Sequence, residues 1–243
     1  MRQELRAKTS NSIQAQLLQR EGLSRFANWM FEQIAPFLSG TIWEAGCGMG
    51  TYTQLMLAAG CQQVLATDHD QHLLNVVHRR FAGIKRVRVF DLDLSREEEF
   101  KKLRGCAIET IVCLNVLEHL DDDLLVLRNM HSLLPSQGRL VLLVPAHPWL
   151  FNGIDEAVHH YRRYTRRELS AKLRQVDFHI RKLYFFNAPA ILGWVVYGHL
   201  LRRRNVPETS VGLFDRIVPI FRWTERAILR GKLGISLIAV CER

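Results

Sequence analysis

Long apolar runs are missing from this 243-residue chain: none reaches the roughly 18 to 20 residues of a membrane span, and the opening MRQELRAKTSNSIQAQ has no apolar core of the kind that directs secretion. A cytoplasmic protein is expected. Closely spaced cysteine pairs are missing too. The five cysteines, Cys47, Cys61, Cys106, Cys113 and Cys241, form no CxxC, which predicts reduced thiols used as small apolar fillers. No internal repeat, low-complexity segment or recognisable RNA-binding module occurs. What is abundant is positive charge, a formal +9, crowded between Arg162 and Arg230. That asymmetry points to an anionic partner. With 48% hydrophobic residues the chain is long enough for one full core.

Helical periodicity opens the chain, in SIQAQLLQR and then SRFANWMFEQIAPFL, with Ser24 placed to cap the second run. From Thr41 short β-rich runs alternate with helical ones: TIWEA with TYTQLMLAA, QQVLATD with QHLLNVVHRRF, RVRVFDLDL with REEEFKKLR, ETIVCLNVLEHL with DDDLLVLRNMHSLL, and GRLVLLVPA with a loop and TRRELSAKLRQVDF. HIRKLYFFN and GISLIAVCE supply two more strands. The expectation is an α/β, Rossmann-like, seven-stranded, mostly parallel sheet with helices on both faces and a helical insertion before the last strand. The predicted divisions are N-terminal helices over the ligand site at 1–39, the core at 40–187, the insertion at 188–233, and the final core strand at 234–243.

The stretch IWEAGCGMGTYT places Gly46, Gly48 and Gly50 at the turn after the first strand, where an open α/β sheet binds its ligand. Three missing side chains let a backbone turn sharply and approach a bound molecule. The spacing G-x-G-x-G is not the dinucleotide fingerprint G-x-G-x-x-G, which disfavours an NAD-dependent oxidoreductase. Glu44, just before the loop, suits a ligand with a charged amino group and no phosphate. Asp68 ends the second strand, where a carboxylate accepts hydrogen bonds from ribose hydroxyls. Asp91 and Leu92 end the third, a polar and an apolar group suited to the edge and face of an adenine.

From about Thr41 to Phe178, with GISLIAVCE as the last strand, the chain resembles the class I S-adenosylmethionine-dependent methyltransferases, within the ubiquinone-methyltransferase-like superfamily. EAGCGMG is similar to the first motif of that family, Asp68 to its ribose-binding acid, Asp91 and Leu92 to its adenine site, and NVLEHLDD to the segment flanking the methyl donor. The resemblance implies S-adenosylmethionine as cofactor, held by Glu44, Gly46, Cys47, Gly48, Gly50, Asp68, His69, Asp91, Leu92 and Asn115. In some relatives, such as the ubiquinone O-methyltransferases and the small-RNA 3′-end methyltransferases, an E-V-x-E-H stretch binds a divalent metal. Here Asn115 stands at the first of those positions, before Val116, Leu117, Glu118 and His119, and the lost carboxylate argues against a metal.

A sulfonium is already activated, so such an enzyme must align a nucleophile, exclude water and remove the acceptor's proton. Candidate bases follow the fourth and fifth strands: His119, then His147, His159, His160 and Tyr161 in PAHPWLFNGIDEAVHHYRRYT, with His119, His160 and Tyr161 taken as the catalytic set. The segment HPWLF…HYRRYT is similar to that of a bacterial methyltransferase subgroup in which His160, Tyr161, Arg162 and Arg163 would line the substrate mouth. The expected reaction is methyl transfer to an O or N nucleophile of a small or lipid-like biosynthetic intermediate. RNA methylation and a non-catalytic subunit that keeps the fold are the alternatives. The insertion, from FNAPAILGWVVYGHLLRRR to LFDRIVPIFRWTERAILRGK, reads either as a lid over the substrate or as helices resting on an anionic membrane surface. No NPPY-like motif accompanies the fourth strand, which disfavours nucleic acid. Nothing in the chain fixes the oligomeric state.

Overall fold

The computed structural model describes residues 25–205 and 208–243. The pattern in SIQAQLLQR and the cap expected at Ser24 lie outside the described residues. Helix α1 (Arg25–Ile34) leads into β1 (Thr41–Ala45), α2 (Thr51–Ala58), β2 (Gln63–Asp68), α3 (Gln71–Arg80), β3 (Val87–Asp91), β4 (Ile108–Leu114), α4 (Asp123–Leu133) and β5 (Arg139–Pro145). Then come α5 (Gly153–Ala157), α6 (Arg166–Gln175), β6 (His179–Phe186), α7 (Pro189–Trp194), α8 (Glu208–Thr224) and β7 (Ser236–Glu242). The sheet runs β3-β2-β1-β4-β5-β7-β6. Only β7 is antiparallel, to both β5 and β6. This is the seven-stranded Rossmann-like sheet that the alternation predicts.

Side chains of a strand alternate between faces, and here both faces are covered. Ile42, Val64, Val112, Val141 and Ile238 pack with Trp29, Met30 and Ile34 of α1 and Met56 of α2. Trp43, Leu65, Ile111, Leu142 and Ala239 pack with Val126 and Met130 of α4 and Leu169 and Leu173 of α6. The insertion joins the first layer through Val218 of α8. Cys47, Cys113 and Cys241 are buried, Cys61 and Cys106 half-buried, and all five are free thiols.

Two segments differ from the sequence reading. REEEFKKLR forms a 3₁₀ helix, Glu97–Leu103, in place of an α-helix. Its buried side chains are Phe100 and Leu103, three residues apart, which matches the 3₁₀ period. The stretch after β5, read as loop, contains α5, closed by a reciprocal cap between Asn152 and Asp155.

The order of strands reverses between β1 and β4, so the loops after them part and leave a crevice. Ala45, Asp68, Asp91, Leu114 and Pro145 end their strands along this one edge.

Candidate active site

The glycine loop sits at that crevice. Gly46 and Cys47 both donate backbone N–H bonds to the Thr67 carbonyl, at 2.9 and 2.8 Å. Gly46 has φ +79°, and a Cβ there would stand 2.4 Å from Val116 Cγ2. Gly50 has φ +78°, and its Cβ would stand 2.6 Å from Phe81 Cε2. Both glycines are therefore required by the protein's own packing, before any ligand is considered. The contact with Val116 also sets the loop directly against the segment after β4.

Asp68 holds the loop as well as facing the crevice. Its Oδ2 accepts the Gly48 N–H at 2.9 Å, and its Oδ1 accepts those of His69 and Asp70 at 2.8 and 3.0 Å. A carboxylate offers about four lone-pair sites, so about one remains for a ribose hydroxyl. His69 is exposed above it, its Nδ1 3.7 Å from Asp68 Oδ1. Asp91 is exposed beside Asp68 on the neighbouring strand, and its Oδ2 accepts from Gln71 Nε2 at 2.6 Å. Leu92 is a correction: its side chain is 1% exposed in the core with Trp43 and Phe100, so it has no face in the crevice for an adenine. The alternation of the strand dictates this, since the residue after an outward Asp91 turns inward. Leu92 contributes a backbone N–H to the Asp68 carbonyl at 2.9 Å.

Glu44 is also buried. It accepts a short hydrogen bond from Thr53 Oγ1 in α2, so it orders the helix behind the loop. Burial raises its pKa to about 8, Thr53 opposes this, and the charge of Asp68 adds to it. The Cys47 thiol is likewise pushed well up by burial and by Glu44 and Asp68. Burial and the neighbouring Asp68 thus favour the protonated, uncharged forms of Glu44 and Cys47 near neutral pH. The acceptors present fit S-adenosylmethionine: Asp68 and Asp91 stand beside each other, for its ribose hydroxyls and adenine amino group. Asn115 follows β4 at φ +52°, its N–H on the Leu143 carbonyl at 2.9 Å.

The second half of the site is a buried polar hub. Glu118 and His119 lie on a 3₁₀ turn after β4, Leu117–His119. His160 returns from forty residues on, held by its N–H on the Asp155 carbonyl at 2.9 Å, and Tyr161 N–H meets the Glu118 carbonyl at 2.8 Å. The His160 Nδ1 lies 2.9 Å from Asp155 Oδ1, and its Nε2 lies 3.8 Å from Glu118 Oε1. Asp155 Oδ1 also accepts from Arg163 Nε at 2.8 Å, and Oδ2 from Trp194 Nε1 at 3.2 Å. Burial would raise the Asp155 pKa, but the His160 hydrogen bond and the Arg163 charge hold it below the usual carboxylate range. Burial raises Glu118 to about 7, although His160 and Arg163 pull it down. Neither Glu118 oxygen has a hydrogen-bond partner among the described residues. Burial and the neighbouring His160 lower His119 to about 3, so its imidazole is neutral.

The remaining candidates separate. His147 is a strut, its Nε2 3.0 Å from the Gly234 carbonyl and its ring stacked on Phe185. His159 takes a positive φ in the turn before His160. Tyr161 is 59% exposed at the rim. Arg162 ties the loop to the Asp121 carbonyl at 2.7 Å and to Asp123 at 3.3 Å. Arg163 corrects the expectation that it lines the mouth: it is 3% exposed, donating to Asp155 and to the Ala146 carbonyl and lying over the Trp194 ring. A buried Asp155 needs a buried cation, and Arg163 supplies it. Asp155 and Trp194 were not legible as site residues, although the Asn152/Asp155 cap signal lay in the sequence. The convergence of Glu118, His119 and His160, whose ligand atoms all lie within 4.8 Å of one another, was hidden by their separation along the chain.

A profile of the methyltransferase domain family matches residues 43–140. The "Probable S-adenosylmethionine-dependent methyltransferase" of Mycobacterium tuberculosis is 27% identical over 152 residues, 61% of this chain and 53% of that protein. The chain thus spans about half the length of that relative. The "Ubiquinone biosynthesis O-methyltransferase" of Xanthomonas euvesicatoria is 25% identical over 152 residues, 56% of this chain and 62% of that one. Among solved structures, an S-adenosylmethionine-dependent methyltransferase from Mesorhizobium loti superposes with a TM-score of 0.62 at 15% identity, covering 89% of this chain and 98% of that one.

Proposed function

We propose that this class I S-adenosylmethionine-dependent methyltransferase domain transfers a methyl group to an oxygen or nitrogen nucleophile on a small or lipid-like molecule. The observation that carries the reading is the Asp155–His160 pair, which stands beside Glu118, whose oxygens accept no hydrogen bond among the described residues. S-adenosylmethionine would supply the electrophilic methyl group. The acceptor's O–H or N–H would approach the partly exposed His160, whose Nε2 lies 3.8 Å from the buried Glu118. His160 Nδ1–H donates to Asp155, which leaves Nε2 to take the acceptor's proton. The imidazolium that results is stabilised by Asp155 and Glu118. His119, with its pKa near 3, is too weak a base for this step and serves as a hydrogen-bonding neighbour. Trp194 of the insertion covers the hub, donating to Asp155 and lying over Arg163.

A second reading is favoured by the three converging ligand atoms of Glu118, His119 and His160. These groups would hold a divalent cation, whose chemistry is to acidify a bound hydroxyl. Turnover that chelator abolishes and added cation restores would replace the His160 base by this reading.

The test is incubation with methyl-labelled S-adenosylmethionine and an extract of the source cells, followed by partition between organic and aqueous phases. Label in the organic phase supports a lipid-like acceptor, and aqueous label that resists nuclease and protease supports a small polar one. Label removed by nuclease or protease, or no label at all, overturns the proposal.

A further inference from the structure

The insertion carries apolar side chains on both of its sides. Helix α8 turns Phe214, Val218 and Phe221 toward the core. Away from the core it presents Leu213, Ile220 and Trp223, which are 60, 62 and 65% exposed, and Ile228 follows at 64%. The turn continuing α7 adds Leu200 and Leu201 at 71 and 53%. Such a two-sided helix leaves an apolar surface that water penalises.

The charge around that surface is predominantly positive. Residues 188–233 hold eight Lys and Arg against three Asp and Glu. Asp215 turns inward to accept the Phe26 N–H at 2.9 Å, and Glu225 is buried, accepting the Asn187 N–H at 2.8 Å. Arg202, Arg203, Arg216, Arg226 and Arg230 meet no carboxylate among the described residues. Between α1 and α8 a cavity of about 490 Å³ is lined by Arg25, Arg222 and Arg226 with Val218, Pro219 and Trp223, so guanidiniums border an apolar floor.

We infer that the outer face of α8 and of the turn that follows it docks on an anionic lipid bilayer, with Ile220, Trp223 and Ile228 in the headgroup boundary and Arg226 and Arg230 on lipid phosphates. Charge complementarity selects this occupant. A second copy of the chain would set arginines against arginines across an isologous contact. A nucleic acid would leave the aliphatic side chains without a partner. No helix among the described residues is long and apolar enough to cross a membrane, so the contact is peripheral. The docking does not depend on methyl transfer.

The experiment is flotation of the full chain with vesicles of phosphatidylcholine alone or mixed with phosphatidylglycerol. The chain is expected to float with the mixed vesicles only and to be released by salt. Ile220→Ser with Trp223→Ser, and separately Arg226→Glu with Arg230→Glu, should each lower the partition about tenfold or more. All four positions are exposed, and an unchanged thermal midpoint shows that the variants fold. Equal binding to both vesicle types, or to neither, overturns the inference. So does a dimer in sedimentation that persists with vesicles present and is lost in Ile220→Ser/Trp223→Ser, or binding to RNA that excludes vesicles.

Discussion

Trp194, in the insertion, donates its Nε1–H to the same Asp155 carboxylate that His160 holds from its other oxygen, at 3.2 and 2.9 Å. One buried acid thus links the insertion to His160, the proposed proton acceptor. Trp194→Phe keeps the ring over Arg163 and deletes only this bond. A single neutral-to-charged hydrogen bond contributes about 1.5 to 3 kcal/mol, so kcat/KM should fall about tenfold to a hundredfold. S-adenosylhomocysteine affinity, measured by calorimetry, should stay unchanged.

Asp155→Asn leaves Arg163 buried without its anion. Breaking a buried pair in this way costs about 3 to 5 kcal/mol, to be read as a lower urea midpoint at constant m. A variant as stable as the parent would contradict the pairing.

Glu44 has a pH signature. Its folded pKa of about 8 lies above its ordinary 4.5, so between these values the folded chain holds a proton that the unfolded chain releases. Stability from this group is full below pH 4.5 and is lost as pH rises toward 8. Glu44→Gln keeps an acceptor for Thr53 and should flatten that part of the decline, measured as urea midpoints at about pH 5 and about pH 8.

Gly46→Ala adds a methyl 2.4 Å from Val116 Cγ2 at φ +79°. Overpacking costs about 1 to 3 kcal/mol and the left-handed backbone about 1 to 2. The double variant Gly46→Ala/Val116→Ala should recover the packing part in thermal unfolding and keep the backbone part. No recovery would mean that the loop does not rest on Val116.

The sheet was legible because each strand is a short run of β-branched and apolar residues cut by turn residues. Glu97–Leu103 was not, because two buried side chains three apart fit a helix pattern as well as a 3₁₀ turn. At the site, the glycine loop and Asp68 announced themselves by position after β1 and β2. Leu92 was misplaced because its position at a strand end was read without its parity. The hub needed the fold: Glu118 and His160 meet only when the chain after β5 returns across the end of β4, and Asp155 is charged and buried in a segment that looks like loop.

His160 is proposed to take the acceptor's proton beside a bound methyl donor. The most direct test of that role compares the parent with His160→Gln in two readings taken side by side, S-adenosylhomocysteine binding and labelled methyl transfer to the acceptor fraction. Binding should be equal and transfer about a hundredfold to ten-thousandfold slower in the variant, the range of a lost general base. Transfer at the parental rate in His160→Gln would contradict the claim.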